Sequence, residues 1–240
     1  MFDFVSRTFS PPVFCYTVLM SNKLTIPFAI IFGGIIVAIA VYVSIPKRPV
    51  TITDKSSLVR PVGASDHIFG NPATKVVIVE YSDFDCEFCK NFHETMHQII
   101  ANEGANGQVA WVFRQFPLIE IHPNTLSHAR ATECIAQTAG NDAFWAFADT
   151  LFKNQPVDSS QYGTFARAAG ISGDAFALCY ASPPAAIEAR IMADRKNALD
   201  IGAEGTPYSV VIVAGKPLAV INGIYSYIEM KQLIDQALAQ

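Results

Sequence analysis

Residues 76–89, Val76-Val77-Ile78-Val79-Glu80-Tyr81-Ser82-Asp83-Phe84-Asp85-Cys86-Glu87-Phe88-Cys89, decide how this chain is read. The β-branched run 76–81 has the composition of a strand buried on both faces, yet it contains a carboxylate, Glu80. A helical pattern follows over 86–101 and a second strand pattern over 109–113. Together they predict a strand, crossover helix, strand unit with parallel strands and a right-handed connection. Cys86 and Cys89 therefore stand directly after a buried strand, in the first turn of a helix. There the free N–H groups and the helix dipole favour an anion, so Cys86 is expected to ionise below the roughly 8.5 of a free thiol and to act as the nucleophile. Cys89, one turn deeper, is placed to attack a mixed disulfide on Cys86, release the substrate and close the Cys86–Cys89 disulfide. A carboxylate in an apolar strand has a raised pKa, so Glu80 can hold a proton near neutrality. The alternative for Glu80 is an ion pair with Lys75 or Lys90.

Cys86, Cys89, His93 and His97 also have the look of zinc ligands. On one helix Cys86 and His97 lie about 16 Å apart, too far to share an ion with bonds of about 2.0–2.3 Å. No metal is expected from that set, although a two-cysteine site completed from elsewhere stays open. His93 lies either beside the disulfide or on a solvated face, and His97 is read as plain surface.

Outward from this unit, residues 123–203 carry almost no strand signal, and their Ala-rich segments break at Gly140, Pro156, Gly170, Gly173 and Pro183-Pro184. They read as a helical insertion, with Phe144, Trp145, Phe147 and Phe152 as its core. Strands return at 208–213 and 218–222, joined by Ala214-Gly215-Lys216-Pro217 as a four-residue hairpin connection. An amphipathic helix over 226–239 gathers Ile228, Met230, Leu233, Ile234 and Leu238 near one face. The fold class is α/β, a βαβ half and a ββα half with helices inserted between them.

Residues 24–45 carry no charge over a length that spans roughly 33 Å as a helix, enough for the hydrocarbon layer. They are expected to be a single transmembrane anchor or signal segment, flanked by Lys23, Lys47 and Arg48. Ala38-Ile39-Ala40 resembles a cleavage site, but the apolar run continues past it, which favours an uncleaved anchor. Residues 1–23 read as a tail; Met20-Ser21-Asn22-Lys23 resembles a translation start, and with that start Cys15 drops out. Residues 46–64, with Pro46, Pro49 and Pro61, read as a linker, and 65–240 as the folded domain.

Over 240 residues, 51% are hydrophobic and 16% charged, which fits one folded domain plus one apolar segment rather than a disordered or polytopic chain. A net charge of −4 speaks against nucleic acid as a partner. Five cysteines are too few for a disulfide-packed miniprotein.

The strand with its acid, the Cys86-x-x-Cys89 pair, the inserted helices and Gly205-Thr206-Pro207 together resemble the DsbA-type thiol-disulfide oxidoreductases of the thioredoxin-like superfamily. Residues 80–89 carry the resemblance, as do Phe113-Arg114-x-Phe116-Pro117-Leu118 and His122-Pro123. It implies a thioredoxin-like fold over 65–240. It also implies proton transfer by Glu80 to and from Cys89, and a cis-proline at Pro207 beside the cysteines, where the main chain of Thr206 aligns extended substrate polypeptide. No cofactor is implied. Family members often carry Pro or His between the cysteines, whereas this chain has Glu87 and Phe88, with Asp83 and Asp85 upstream. Those charges are expected to oppose a Cys86 thiolate and weaken the disulfide as an oxidant.

Cys134 and Cys179 both fall in the insertion, and two readings stand for them: a disulfide outside the cytoplasm, or two buried free thiols. The leading functional expectation is a single-pass, membrane-anchored, extracytoplasmic oxidoreductase that introduces disulfides into secreted or surface polypeptides. By resemblance, a quinone-linked membrane partner of the DsbB or vitamin K epoxide reductase kind reoxidises it. The alternatives are a disulfide reductase or isomerase, a copper or zinc carrier using the same cysteines, and a kappa-class glutathione-transferase relative.

Overall fold

The computed structural model describes residues 25–44, 54–104 and 107–240. The expected tail, with Met20 and Cys15, lies outside them. The chain divides into two units, residues 1–47 and 48–240. In the first, Thr25–Ser44 form helix α1, uncharged throughout. Its side chains are described over 30–40 alone, and among the described residues no helix is long and apolar enough to cross a membrane.

The second unit is built on a five-stranded sheet in the order β1-β3-β2-β4-β5. Strand β2 (Val76–Ser82) lies at its centre, parallel to β3 (Val109–Gln115) and antiparallel to β4 (Tyr208–Val213). Helix α2 (Glu87–Asn102) makes the β2–β3 crossover. The hairpin strand β5 (Lys216–Asn222) and helix α8 (Tyr227–Leu238) complete the ββα half. Between the halves run α3 (Thr125–Ala139), α4 (Asn141–Lys153), α5 (Tyr162–Ala168), α6 (Gly173–Ala181) and α7 (Ala185–Asp200). This is a thioredoxin-like α/β fold with a helical insertion.

Alternation along β2 sorts its side chains onto two cores. Val76 and Ile78 join the core formed with Cys89, Phe92 and Met96 of α2, Met230 and Ile234 of α8, and Phe144, Phe147 and Phe152 of α4. Val77, Val79 and Tyr81 face the other side, against Ala198, Ile201 and Ala203. Glu80 has the parity of Ile78 and so faces α2. That one fact of register brings the strand's acid to the helix that carries the cysteines.

Three details depart from the sequence reading. The edge strand β1 (His67–Gly70), antiparallel to β3, is four residues long and shows no apolar alternation that would have announced it. The β4–β5 turn is only Ala214-Gly215, both at positive φ (48° and 78°), the geometry of a two-residue hairpin turn. Pro217 instead lies within β5, which tolerates it as an edge strand with a bulge opposite. Ile228 is exposed while Met230, Leu233 and Ile234 are buried, because residues two apart on a helix point to different sides.

Residues 54–64, read as linker, lie against the domain. Ser56 is buried, Val59 and Val62 pack on the second core, and Arg60 pairs with Asp194 at 2.6 Å. Nearby, fully buried Arg114 donates from Nε and Nη2 to the two oxygens of Asp66 (2.9 and 3.1 Å) and from Nη1 to Tyr81 Oη (3.0 Å). Cutting one partner from such a pair leaves a buried charge and typically costs about 3–5 kcal/mol.

Cys134 of α3 and Cys179 of α6 are joined by a disulfide. A loop of 45 residues closed in this way stabilises by about 2–4 kcal/mol. Replacing both with Ala is expected to lower the melting temperature by about 4–16 °C for a domain of this size, while Cys86 keeps its reactivity. Calorimetry and thiol labelling of the double variant check both halves of that expectation.

Candidate active site

Cys86 is the N-cap residue of α2, in extended geometry (φ −81°, ψ 121°), so the first turn of N–H groups opens toward its sulfur. It is 7% exposed, whereas Cys89, one turn in, is fully buried. Both thiols are free. Opposite them the Thr206–Pro207 peptide bond is cis, and Cys86 Sγ lies 3.5 Å from the carbonyl oxygen of Thr206. Gln155, from the segment after α4, donates to the carbonyl of Phe84 and, at 3.4 Å, to that of Cys86. These bonds hold the strand-to-helix turn in place.

The two thiols are driven apart in acidity. The Cys89 thiol lowers Cys86 most, and Thr206 and the backbone N–H groups of Cys89 and Phe88 act in the same direction against the opposing effect of burial; the result is about 6. Cys89 is pushed well above the ordinary thiol value, first by burial, then by Cys86 and the charge of Glu80. One sulfur is thus a thiolate at neutral pH and the other a protonated thiol. This is the division of labour that disulfide exchange requires.

Glu80 is fully buried. Its Oε2 accepts a hydrogen bond from Trp111 Nε1 at 2.8 Å, and its Oε1 has no partner among the described residues. Neither Lys75 nor Lys90 pairs with it; Lys75 instead donates to the Leu238 carbonyl. Burial raises Glu80 to about 7, with Ser82 and Trp111 opposing and the Cys86 charge adding to the rise. A carboxyl poised there, close enough to Cys89 to shift it, can give and take a proton at physiological pH.

Asp83 and Asp85, expected to oppose the thiolate, each lie in a hydrogen-bond network. Asp83 accepts from the Leu118 and Asp85 N–H groups and from Thr125 Oγ1, and pairs with His122 Nδ1 at 2.9 Å. Asp85 accepts from the Asn124 N–H and pairs with His128 Nε2 at 2.9 Å. Burial would lower His122, but its bond to Asp83 and the charges of Asp83, Cys86 and Asp85 raise it on balance. The acids therefore recruit a histidine toward Cys86. His122, Trp111 and Gln155 were missed as functional residues. His122 stands in a quoted motif, but its partner lies 39 residues away; the only signal for Trp111 was its place on β3.

Of the remaining sequence candidates, His93 is buried rather than on a solvated face, and His97 is only partly exposed rather than plain surface. Both bond to Asp149 of α4. Phe88, between the cysteines, is 60% exposed. Beside it a groove of about 470 Å³ is lined by Asp85, Glu87, Lys90, Asn91, Gln155 and Pro156.

The family model described as thioredoxin matches residues 64–236. The chain belongs to the thioredoxin family. Among solved structures, this thioredoxin-family domain is similar in fold to BdbD from Bacillus subtilis (21% identity, TM-score 0.65, covering 75% of this chain and 97% of that one). It is also similar to the thiol-disulfide exchange protein alpha-DsbA2 from Wolbachia pipientis (19%, 0.63, 72% and 87%) and to a thioredoxin-like oxidoreductase from Silicibacter pomeroyi (20%, 0.62, 79% and 99%). The DsbA-type resemblance read from the sequence is thus matched in fold. Among curated proteins the chain is 34% identical over 150 residues to the Na(+)/H(+) antiporter NhaA 1 of Mycolicibacterium vanbaalenii, covering 62% of this chain and 23% of that protein. A further match, 27% over 162 residues, is the NhaA 3 antiporter of Salinispora tropica, of which 22% is covered. The chain spans about a quarter or less of the length of these curated relatives.

Two measurements test the site. Alkylation of the reduced protein should label Cys86 with a rate that rises with pH around a midpoint of about 6, and leave Cys89 untouched there; equal labelling contradicts the N-cap account. Glu80→Gln should slow oxidation of a model dithiol about 100-fold and flatten the pH profile near 7. Stability supplies an independent check. Between the ordinary 4.5 and about 7 the folded chain keeps a proton the unfolded chain has released, so stability falls as pH rises through that window. Glu80→Gln should abolish this slope and make the protein more stable than the parent at pH 8.

Proposed function

We propose that this chain is a membrane-anchored, extracytoplasmic thiol-disulfide oxidoreductase that transfers the Cys86–Cys89 disulfide to reduced secreted or surface polypeptides. The observation that carries the proposal is the Cys86 sulfur at the N-cap of α2, facing the Thr206 carbonyl of a cis Thr206–Pro207 bond, with buried Cys89 behind it. An extended substrate strand lies along Thr206, and its cysteine thiolate attacks Cys86 Sγ of the Cys86–Cys89 disulfide, forming a mixed disulfide while Cys89 leaves and takes up a proton held by Glu80. A second substrate thiolate then attacks the substrate sulfur of the mixed disulfide, so that the substrate departs with a new disulfide and Cys86 is left as the thiolate.

The acidity of Cys86 supports the oxidising direction. With Cys86 titrating near 6, the thiolate outnumbers the thiol roughly tenfold at pH 7. Stabilising the reduced, ionised pair makes the disulfide the more readily surrendered state, hence an oxidant. The hydrogen bonds of Asp83 to His122 and of Asp85 to His128 support that direction. The uncharged run of residues 24–45 in the sequence supports anchoring, and the Cys134–Cys179 bridge supports an oxidising compartment. A quinone-linked membrane reductase of the DsbB or vitamin K epoxide reductase kind is the proposed oxidant that resets the dithiol.

Cys89→Ala in cells should trap substrates on Cys86 as mixed disulfides that reductant releases; the absence of any such species contradicts the exchange reading. Equilibration of the purified protein with glutathione should give a potential above about −180 mV, in the range of oxidases rather than of thioredoxin near −270 mV. A value close to the latter would assign the chain to the reductases.

A further inference from the structure

His93 and His97 leave one face of α2 four residues apart and meet Asp149 from α4. The two Nε2 atoms are 3.1 Å apart, and they lie 2.7 and 2.8 Å from the same Asp149 oxygen, Oδ1. Three atoms able to ligate a metal thus converge on one point, among the described residues the one such group. We propose that His93, His97 and Asp149 bind a divalent transition-metal ion of the zinc and copper class, clamping α2 to α4 independently of Cys86 and Cys89.

Hydrogen bonding alone does not satisfy the cluster. Each Nε2 carries at most one proton, so three mutual contacts share at most two. Both protons must aim at the single carboxylate oxygen, leaving two N–H groups crowded together, or else lone pairs face one another. A cation at the common point replaces the protons and satisfies all three atoms at once. The spacing agrees. With bonds of about 2.0–2.1 Å, two donors at right angles about the ion stand about 2.9 Å apart, and donors at the tetrahedral angle about 3.4 Å. The observed 2.7–3.1 Å matches neighbouring ligands at right angles, and small outward shifts of the side chains reach the tetrahedral arrangement.

Access is also present. The Asp149 and His97 side chains are 47% and 31% exposed, so an ion can enter from solvent and keep water on its open positions, while nearly buried His93 anchors it from within. Two imidazoles and one carboxylate suit zinc, copper or nickel rather than calcium or magnesium. The sequence reading excluded Cys86 and His97 from sharing an ion; it had no means of supplying Asp149, which comes from 52 residues beyond His97.

The rings of His93 and His97 lie 5.0 and 5.5 Å from that of Trp111, and Trp145 lies 6.3 Å from His93, so both tryptophans of the chain report on the site. The test uses the detergent-solubilised full chain with the Cys86–Cys89 disulfide closed, which removes the thiols as ligands. Calorimetric titration with zinc chloride should show one saturable site per chain, zinc should raise the melting temperature, and copper(II) should quench tryptophan fluorescence. Asp149→Asn and His97→Gln should each weaken zinc binding at least tenfold and cancel the thermal shift. The copper(II) spin-resonance spectrum of the unmutated protein should carry hyperfine splitting from two nitrogens, a readout that does not depend on how the variants fold. The proposal is overturned by the absence of a saturable site in the oxidised chain, by a copper spectrum without nitrogen splitting, or by undiminished affinity in both variants. Binding seen only in the reduced chain also overturns it and points to the cysteine pair.

Discussion

A fully buried carboxyl group, Glu80, sits in the middle strand of the sheet, on the side that faces α2, and the dithiol end of the molecule is organised by it. Burial lifts Glu80 to about 7, and among the described residues Trp111 alone offers it a hydrogen bond of good geometry. The same low-dielectric pocket encloses Cys89 and keeps that thiol protonated. Because burial and mutual repulsion oppose two charges in this pocket, a proton given up by one group is best passed to the other. The cost is borne by the fold, which must bury a titratable acid against a dense apolar core.

The rest of the site separates two sulfurs that are chemically identical in the sequence. Cys86 has the helix N-terminus, the Cys89 thiol and Thr206 to stabilise a negative charge, and it touches solvent; Cys89 has none of these advantages and is sealed in. The inserted helices do more than cover the sheet. Gln155 fixes the turn before α2, His128 and Tyr162 tie Asp85 to α5, and Asp149 reaches α2 from α4. Chain segments far apart in sequence therefore set the electrostatics of a motif that is local.

How much of this was legible follows from the range of the interactions. The strand 76–81 and the crossover helix rest on neighbours within a few residues, so their reading agrees with the structure to within one or two positions. The two-residue Ala214-Gly215 turn and the strand His67–Gly70 were misplaced or missed because register and edge pairing are set by partners elsewhere in the sheet. Charge was the least legible property. Asp83 and Asp85 read as repelling a thiolate until His122, Thr125 and His128, some 40 residues on, are folded against them. His97 read as surface for the same reason: its partner is carried by another helix.

The central claim is that Glu80 exchanges its proton near neutral pH in the folded protein. Selective carbon-13 labelling of glutamate carboxyls, with Glu80 assigned by its loss in Glu80→Gln, allows its titration to be followed directly by NMR. The account predicts a midpoint near 7, well above the other glutamates, in the dithiol protein. A midpoint below 5 would show an ionised carboxylate throughout the working range and contradict its role as the proton carrier for Cys89.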